Sequence, residues 1–308
     1  MNIPRLSLGT CTMAGQLNED ASFRLLDVAY DHGIKFLDTA EGYPTVMRPV
    51  THGNTEWLLG RWLRQRKHKD ILINTKVFGP GNIFRGGKTS LAPEEVSAAL
   101  DASLGRLGVE QVFCYMPHSL SGSSDHVKEA FVETMGTLMK SGKIKHWGLS
   151  NVPYETYEAY KWEAEMRQGI AGPILVQNRF SWANDPQGVD EAPVPLMAYG
   201  ILRYGSFSGK YKDGLPNQHS RLPWLRDNFG WDIAPLVYSK DVEDLLAKAK
   251  THYMDPVHFA LNYVWGKSYV KNVCLGVTSP SQLKHILAAP CLEGILGPVA
   301  QQERASAF

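Results

Sequence analysis

Four side chains in this sequence, Asp38, Tyr43, Lys76 and His118, are of the types that together can place a proton on a carbonyl oxygen. A tyrosine alone is a poor acid at neutral pH, because its ordinary pKa is about 10. An ammonium beside it favours the phenolate and lowers that value, and a carboxylate can hold the ammonium in place. Such a phenol can protonate a carbonyl oxygen as hydride reaches its carbon, while a histidine hydrogen-bonds the same oxygen and orients it. Asp38, Lys76 and His118 each end or follow a short apolar run, and Tyr43 lies five residues beyond Asp38. Gln177, Ser150-Asn151 and Tyr199 stand at the ends of other such runs. Singly, each has a plainer reading: Asp38 as a helix cap, Lys76 as an ion-pair lysine, His118 as a loop or core histidine. Tyr43 alone says little, and spacing alone leaves the two readings balanced.

The elements that must position these residues are legible as alternation. Strands are expected at 6–8, 34–38, 71–76, 112–116, 145–149, 174–177, 195–199 and 272–276. Amphipathic helices are expected at 19–32, 55–66, 93–107, 125–140, 153–166, 239–252, 256–267 and 281–288. Strand and helix repeated about eight times predict an α/β fold, an eight-stranded parallel (β/α)8 TIM barrel, with 1–308 as a single domain. In that architecture the working face lies at the C-terminal ends of the strands. The rival, a doubly wound dinucleotide fold, requires G-x-G-x-x-G straight after the first strand. Leu8-Gly9-Thr10-Cys11 has no such loop. The stretch 205–235 reads as a long loop, of the kind used as a lid or a binding segment.

Composition narrows the function classes. The 308 residues carry 32 Lys+Arg against 31 Asp+Glu, a formal net charge of +1, so nothing favours nucleic acid as a partner. Cys11, Cys114, Cys274 and Cys291 lie far apart without C-x-x-C or Cys/His metal spacing, which predicts reduced thiols and no metal. A metal-dependent barrel hydrolase is disfavoured because no H-x-H or clustered His/Asp set stands out. No run of about 18 apolar residues predicts a membrane span, and the N-terminus lacks a signal-type apolar core, so a cytoplasmic location is expected.

The longer text carries a resemblance. Phe36-Leu37-Asp38-Thr39-Ala40-Glu41-Gly42-Tyr43 is followed by Gly53-Asn54-Thr55-Glu56 and Leu59-Gly60. Asn74-Thr75-Lys76, Gly148-Leu149-Ser150-Asn151, Val176-Gln177-Asn178 and Ser208-Gly209-Lys210-Tyr211 come after them in order. Together they resemble the aldo-keto reductase superfamily, most closely its Tas-type and potassium-channel-β-like branch. The resemblance implies a barrel that binds NADP(H) in extended form and reduces a small-molecule carbonyl substrate. Asp38, Tyr43, Lys76 and His118 match the family's catalytic four, with Tyr43 as general acid.

For the cofactor, the resemblance implies Gly9, Thr10 and Cys11 at the end of the first strand, and Ser150, Asn151 and Gln177 at the nicotinamide carboxamide. Tyr199 matches the aromatic that stacks on the nicotinamide ring, with Gly200 beside it. Leu202, Ser206 and Lys210 match the loop along the pyrophosphate, and Arg221 matches an arginine near the adenosine end. Gly276, Thr278 and Gln282 match the last strand-to-helix loop. Lys210 and Arg221 are the implied readers of a 2′-phosphate. The chain departs from the family at His285 and Ile286, where Glu and Asn are usual, at Gly200 and Ile201, and at Arg203, which is expected to reach phosphate or alter the pocket. Met47, Phe78, Phe84, Trp182 and Trp224 are expected to shape the substrate pocket, and the short tail after Pro290 implies an open one.

Neither nucleic acid nor membrane is implied as a partner, and the oligomeric state is left open. Two alternatives stand beside the reductase: a cofactor-binding regulatory or redox-sensing subunit resembling channel β-subunits, and a ketoreductase for nucleotide-linked sugars. His118 is the residue that separates the first, since channel-associated subunits replace it.

Overall fold

Short strands buried on both faces need helices on one side and a filled centre on the other, and the computed structural model has both. It describes residues 3–79, 90–120, 125–184, 194–212, 214 and 220–292. The strands are β1 (Leu6–Gly9), β2 (Phe36–Asp38), β3 (Leu72–Val77), β4 (Val112–Pro117), β5 (Ile144–Trp147), β6 (Leu149–Ser150), β7 (Val176–Arg179), β8 (Leu196–Tyr199) and β9 (Val270–Leu275). All neighbours are parallel, in the order β5-β4-β3-β2-β1-β9-β8-β7-β6. The two end segments, β5 and β6, are halves of one expected strand, divided at Gly148. The Gly148 amide donates to the Tyr115 carbonyl (3.1 Å) on β4, and the Leu149 amide donates to the Leu175 carbonyl (3.1 Å) ahead of β7. The sheet therefore closes on itself, and the eight expected strands form the barrel as nine segments.

Gly148 is there for space. A Cβ at this position would lie 2.9 Å from the Leu175 carbonyl oxygen and 3.1 Å from Met116 Cε. Backbone cannot yield as a flexible side chain can, so the seam requires a residue without a side chain.

The helices are α1 (Glu19–Asp31), α2 (Asn54–Arg66), α3 (Pro93–Leu107), α4 (Asp125–Lys140), α5 (Tyr154–Trp162), α6 (Arg221–Phe229), α7 (Ala234–Val237), α8 (Lys240–Thr251), α9 (Pro256–Trp265) and α10 (Pro280–Leu287). Side chains signal several starts. Asn18 accepts from the Ala21 amide at α1, Asp255 from the Val257 and His258 amides at α9, and Ser279 from the Gln282 amide at α10. The expected helix 153–166 keeps its α form only to Trp162 and continues as a π-helical turn, Glu163–Arg167. The expected loop 205–235 is in part helical. A 3-10 turn (Arg203–Ser208), α6 and α7 lie in or beside it, over their own core of Tyr211, Leu222, Leu225, Ile233 and Val237. Phe84 and the tail beyond 292 lie outside the described residues, and among those described no helix is long and apolar enough to cross a membrane.

The barrel centre is a packed plug of Phe36, Phe113, Cys114, Met116, Leu175, Met197 and Cys274, with Phe36 and Phe113 edge to face at 5.4 Å. Strand periodicity of two then decides what sits above the plug. On β2, Asp38 follows Phe36 on the inward face. On β3, Asn74 and Lys76 share a face, and Gln177 reaches inward from β7. The polar strand ends thus form a layer on an apolar floor at the C-terminal mouth.

The seam gives a direct test. Gly148→Ala should lower unfolding free energy by about 1–3 kcal/mol, the usual cost of overpacking a tight site. Urea unfolding followed by circular dichroism measures it, and an unchanged midpoint would show that the closure tolerates a side chain.

Candidate active site

Asp38 Oδ1 is the hub of the polar layer. It accepts from Lys76 Nζ (2.8 Å), Asn74 Nδ2 (2.6 Å) and Gln177 Nε2 (2.9 Å). Lys76 also donates to the Thr39 carbonyl (2.7 Å) and is 1% exposed. An ammonium buried so deeply is tolerable only when paired and hydrogen-bonded, and these partners meet that requirement. The Thr10 amide (3.0 Å) and hydroxyl (2.9 Å) both donate to the Asp38 carbonyl, tying the end of β1 to the hub. Gly9 pairs with Asp38 across the sheet, and the Cys11 carbonyl accepts from the Thr45 amide (2.9 Å), which fastens the Tyr43 loop to the same strand end.

Tyr43 lies over this pair, with Lys76 Nζ 5.3 Å from its ring centre. The His118 ring meets Tyr43 edge-on at 5.7 Å and leans on Phe78 at 4.5 Å. Burial and the Lys76 charge push the His118 imidazolium down to about 3, so the ring is neutral at pH 7. Its Nδ1 is buried and has no hydrogen-bond partner among the described residues. The phenol departs from expectation: burial first, then the Asp38 carboxylate, hold Tyr43 well above its ordinary value rather than below it. Lys76 is already balanced by Asp38, so its charge does not outweigh the cost of a buried phenolate. Tyr43 therefore keeps its proton at rest.

One wall continues from His118. Asn151, at φ +56°, donates to the His118 carbonyl (2.8 Å) and accepts from the Tyr199 hydroxyl (2.7 Å), while Ser150 donates to the Gln177 carbonyl (3.1 Å). Asp38, Tyr43, Lys76, His118, Ser150, Asn151, Gln177 and Tyr199 thus form one connected site.

The remaining candidates extend outward from it. Gly200 has φ +76°, a conformation that favours glycine, and Leu202 precedes the 3-10 turn. Ser206 Oγ is buried without a partner among the described residues. Lys210 has no carboxylate within ion-pair distance among the described residues, and desolvation lowers its pKa. Arg221 is 9% exposed, donates to Gln16 Oε1 (3.1 Å) and lies 5.0 Å from the Trp224 ring, again with no carboxylate among the described residues. A buried guanidinium without a counter-ion is a place for an anion. A Cβ at Gly276 would meet nothing within 4 Å, and Gln282 Oε1 accepts from the Thr278 amide (2.9 Å) and hydroxyl (3.2 Å) at the start of α10. Uncompensated cations, orphaned hydroxyl and imidazole atoms and an open glycine fit an anionic dinucleotide.

Four further residues singled out from the sequence have partners of their own among the described residues. Arg203 donates to Asp241 (3.0 Å) and Ser239 (2.9 Å), so its charge has a carboxylate partner. Trp182 packs on Phe259 and Tyr263 of α9 and donates to Asp244 of α8 (3.1 Å). His285 stacks on His258 at 4.9 Å and approaches Asp255 at 3.2 Å, while Ile286 is buried. The trio Asp255, His258 and His285, exposed except for a half-buried His258 and with ligating atoms within 4.8 Å of one another, is a grouping that sequence spacing does not display. Sequence reasoning also missed Asn74, although its place two residues before Lys76 puts it on the same inward face.

With this geometry in hand, comparison with known proteins is informative. The aldo/keto reductase family model matches residues 5–292. Protein tas of Escherichia coli is 28% identical over 312 aligned residues, covering 92% of this chain and 88% of that protein. The uncharacterized oxidoreductase YrpG of Bacillus subtilis is 27% identical, covering 68% of this chain and 64% of YrpG. A Schizosaccharomyces pombe protein whose name describes a candidate voltage-gated potassium channel subunit beta is 26% identical, covering 92% and 83%.

The hub predicts non-additive energetics. Asp38→Leu should cost about 3–5 kcal/mol, because it leaves the Lys76 charge buried and unpaired, whereas Asp38→Leu with Lys76→Met should lie much closer to wild type. Urea unfolding of the single and double variants decides it. A double variant that loses the sum of the single losses would contradict the pairing.

Proposed function

The chain belongs to the aldo/keto reductase family, and on that premise we propose that it reduces an aldehyde or ketone to an alcohol, with NADPH as hydride donor and Tyr43 as general acid. The observation that carries this reading is the Asp38–Lys76 pair buried beneath Tyr43, with the uncommitted Nδ1 of a neutral His118 alongside. When bound, NADPH supplies the hydride to the carbonyl carbon. His118 fixes the carbonyl oxygen near the phenol, and Tyr43 releases its proton only as alkoxide charge develops there. Lys76 then stabilises the phenolate left behind, and Asp38 holds the lysine in place.

Ser150, Asn151 and Gln177 would hold the carboxamide, and Tyr199 the face of the ring, with Gly9, Thr10 and Cys11 beneath. Leu202, Ser206 and Lys210 would follow the pyrophosphate. Arg221 and Lys210 would read the 2′-phosphate, and Gly276, Thr278 and Gln282 would meet the adenosine at the start of α10. The alternative reading, a cofactor-binding regulatory subunit, has support in the name of the Schizosaccharomyces pombe relative. It needs the cofactor cradle but no proton donor, and the Tyr43–His118 arrangement favours the enzyme. A nucleotide-linked sugar is one substrate class within the reductase reading.

Tyr43→Phe should lower kcat by about 10²–10⁴-fold, the usual worth of a positioned acid, with the Kd for NADPH nearly unchanged. Steady-state reduction of a good aldehyde, paired with a fluorescence titration, tests this; near-normal turnover would remove Tyr43 from the mechanism. Arg221→Ala should weaken NADPH roughly tenfold and NADH little, most clearly at low salt. Equal losses for both cofactors would assign Arg221 to the adenosine or pyrophosphate they share.

A further inference from the structure

One cation at the mouth of the barrel takes no part in the mechanism above. Gln177 points to the barrel axis, since its amide reaches Asp38, and Arg179, two residues on along β7, belongs to the same face one layer nearer the opening. Its register partner on β8 is Tyr199. The guanidinium carbon lies 5.9 Å from the Tyr199 ring centre and 5.5 Å from that of Tyr204, and Nη2 donates to the Tyr204 hydroxyl (3.0 Å).

Several features of the chain hold it there. A Cβ at Gly200 would sit 3.3 Å from Arg179 Cγ, so the glycine leaves room for the arginine stem. Tyr204 has φ +58° and its neighbour Arg203 has φ +45°, left-handed conformations that are rare for such side chains. The Tyr204 carbonyl accepts from the Tyr211 hydroxyl (3.3 Å), and its ring is met edge-on by Trp231 (5.8 Å). Strained backbone held by its surroundings is a device for aiming a side chain. What is aimed is an exposed guanidinium that has no carboxylate partner among the described residues. From it, Tyr199 and Asn151 lead directly to His118.

We propose that Arg179 is the specificity-determining residue of the substrate pocket, and that the carbonyl compounds this site prefers carry a carboxylate. A guanidinium flanked by tyrosine rings keeps its planar fork in one orientation, and that fork matches carboxylate geometry. The reaction rests on the reductase reading; the binding of the anion does not.

The test is equilibrium binding of 4-formylbenzoate and of its methyl ester, followed by intrinsic tryptophan fluorescence, with and without saturating NADP+. The wild type should bind the acid about tenfold more tightly than the ester, the order expected for a charge-assisted contact partly screened by solvent. Arg179→Gln should bring the ratio near one by weakening the acid, Arg179→Lys should restore part of it, and affinity for NADP+ should change less than about twofold on the same reasoning. A ratio near one in the wild type, or equal losses for acid and ester in Arg179→Gln, overturns the proposal. So does a loss confined to NADP+, which would make the cofactor pyrophosphate the partner of Arg179. Because binding needs no turnover, a chain that holds the acid through Arg179 but reduces no carbonyl would defeat the reductase reading and leave this assignment standing.

Discussion

The ammonium of Lys76 inside a closed barrel is the constraint on which the site depends. A charge there is tolerable only with a carboxylate in contact and its other protons directed at oxygen, and Asp38 and the Thr39 carbonyl meet that need. Asp38 in turn accepts from Asn74 and Gln177, so one carboxylate gathers donors from β3 and β7, on opposite sides of the barrel. Three strands are thereby fixed in height relative to each other. Tyr43, His118 and Asn151 inherit their positions from that arrangement. A site built on strand ends over a packed floor has little freedom to reorganise, which is what a reaction controlled by the placement of one proton requires.

The same constraint bears on the proposed acid, Tyr43, whose pKa lies above normal. Burial first, and then the Asp38 carboxylate, disfavour the phenolate in the resting site. The ammonium becomes useful only when a second negative charge appears beside it. Stabilisation that arrives with the transition state raises rate, whereas stabilisation already present at rest does not. The expectation of a lowered pKa counted the carboxylate only as the ammonium's anchor, and left out burial and the carboxylate's own charge, which both raise it.

Strands and helices were legible because their signals are local: apolar runs, Asn18, Asp255 and Ser279 at helix starts, prolines at first helical positions. The identities of Asp38, Lys76 and Gln177 as inward residues follow from alternation. What alternation cannot display is partnership across distant sequence. Arg203 reads as a loop cation until Asp241 is placed beside it, and Trp182 reads as a pocket residue until Phe259 and Tyr263 cover it. Ile286 reads as a lost adenine contact, yet α10 buries it on the same face as Leu283 and Leu287, so it serves the core. The division of one strand at Gly148 and the π-helical turn after α5 arise from closure and packing, and neither has a one-dimensional signature.

In the proposed reaction Tyr43 delivers its proton in the same step that receives hydride, with the Asp38–Lys76 pair stabilising what remains. Single-turnover hydride transfer in H2O and D2O, with NADPH and its 4-deuterated form, measures this most directly. A normal solvent isotope effect on the hydride-transfer step is expected, persisting with the deuterated cofactor and disappearing in Tyr43→Phe. A hydride-transfer rate indifferent to D2O in the wild type would contradict it.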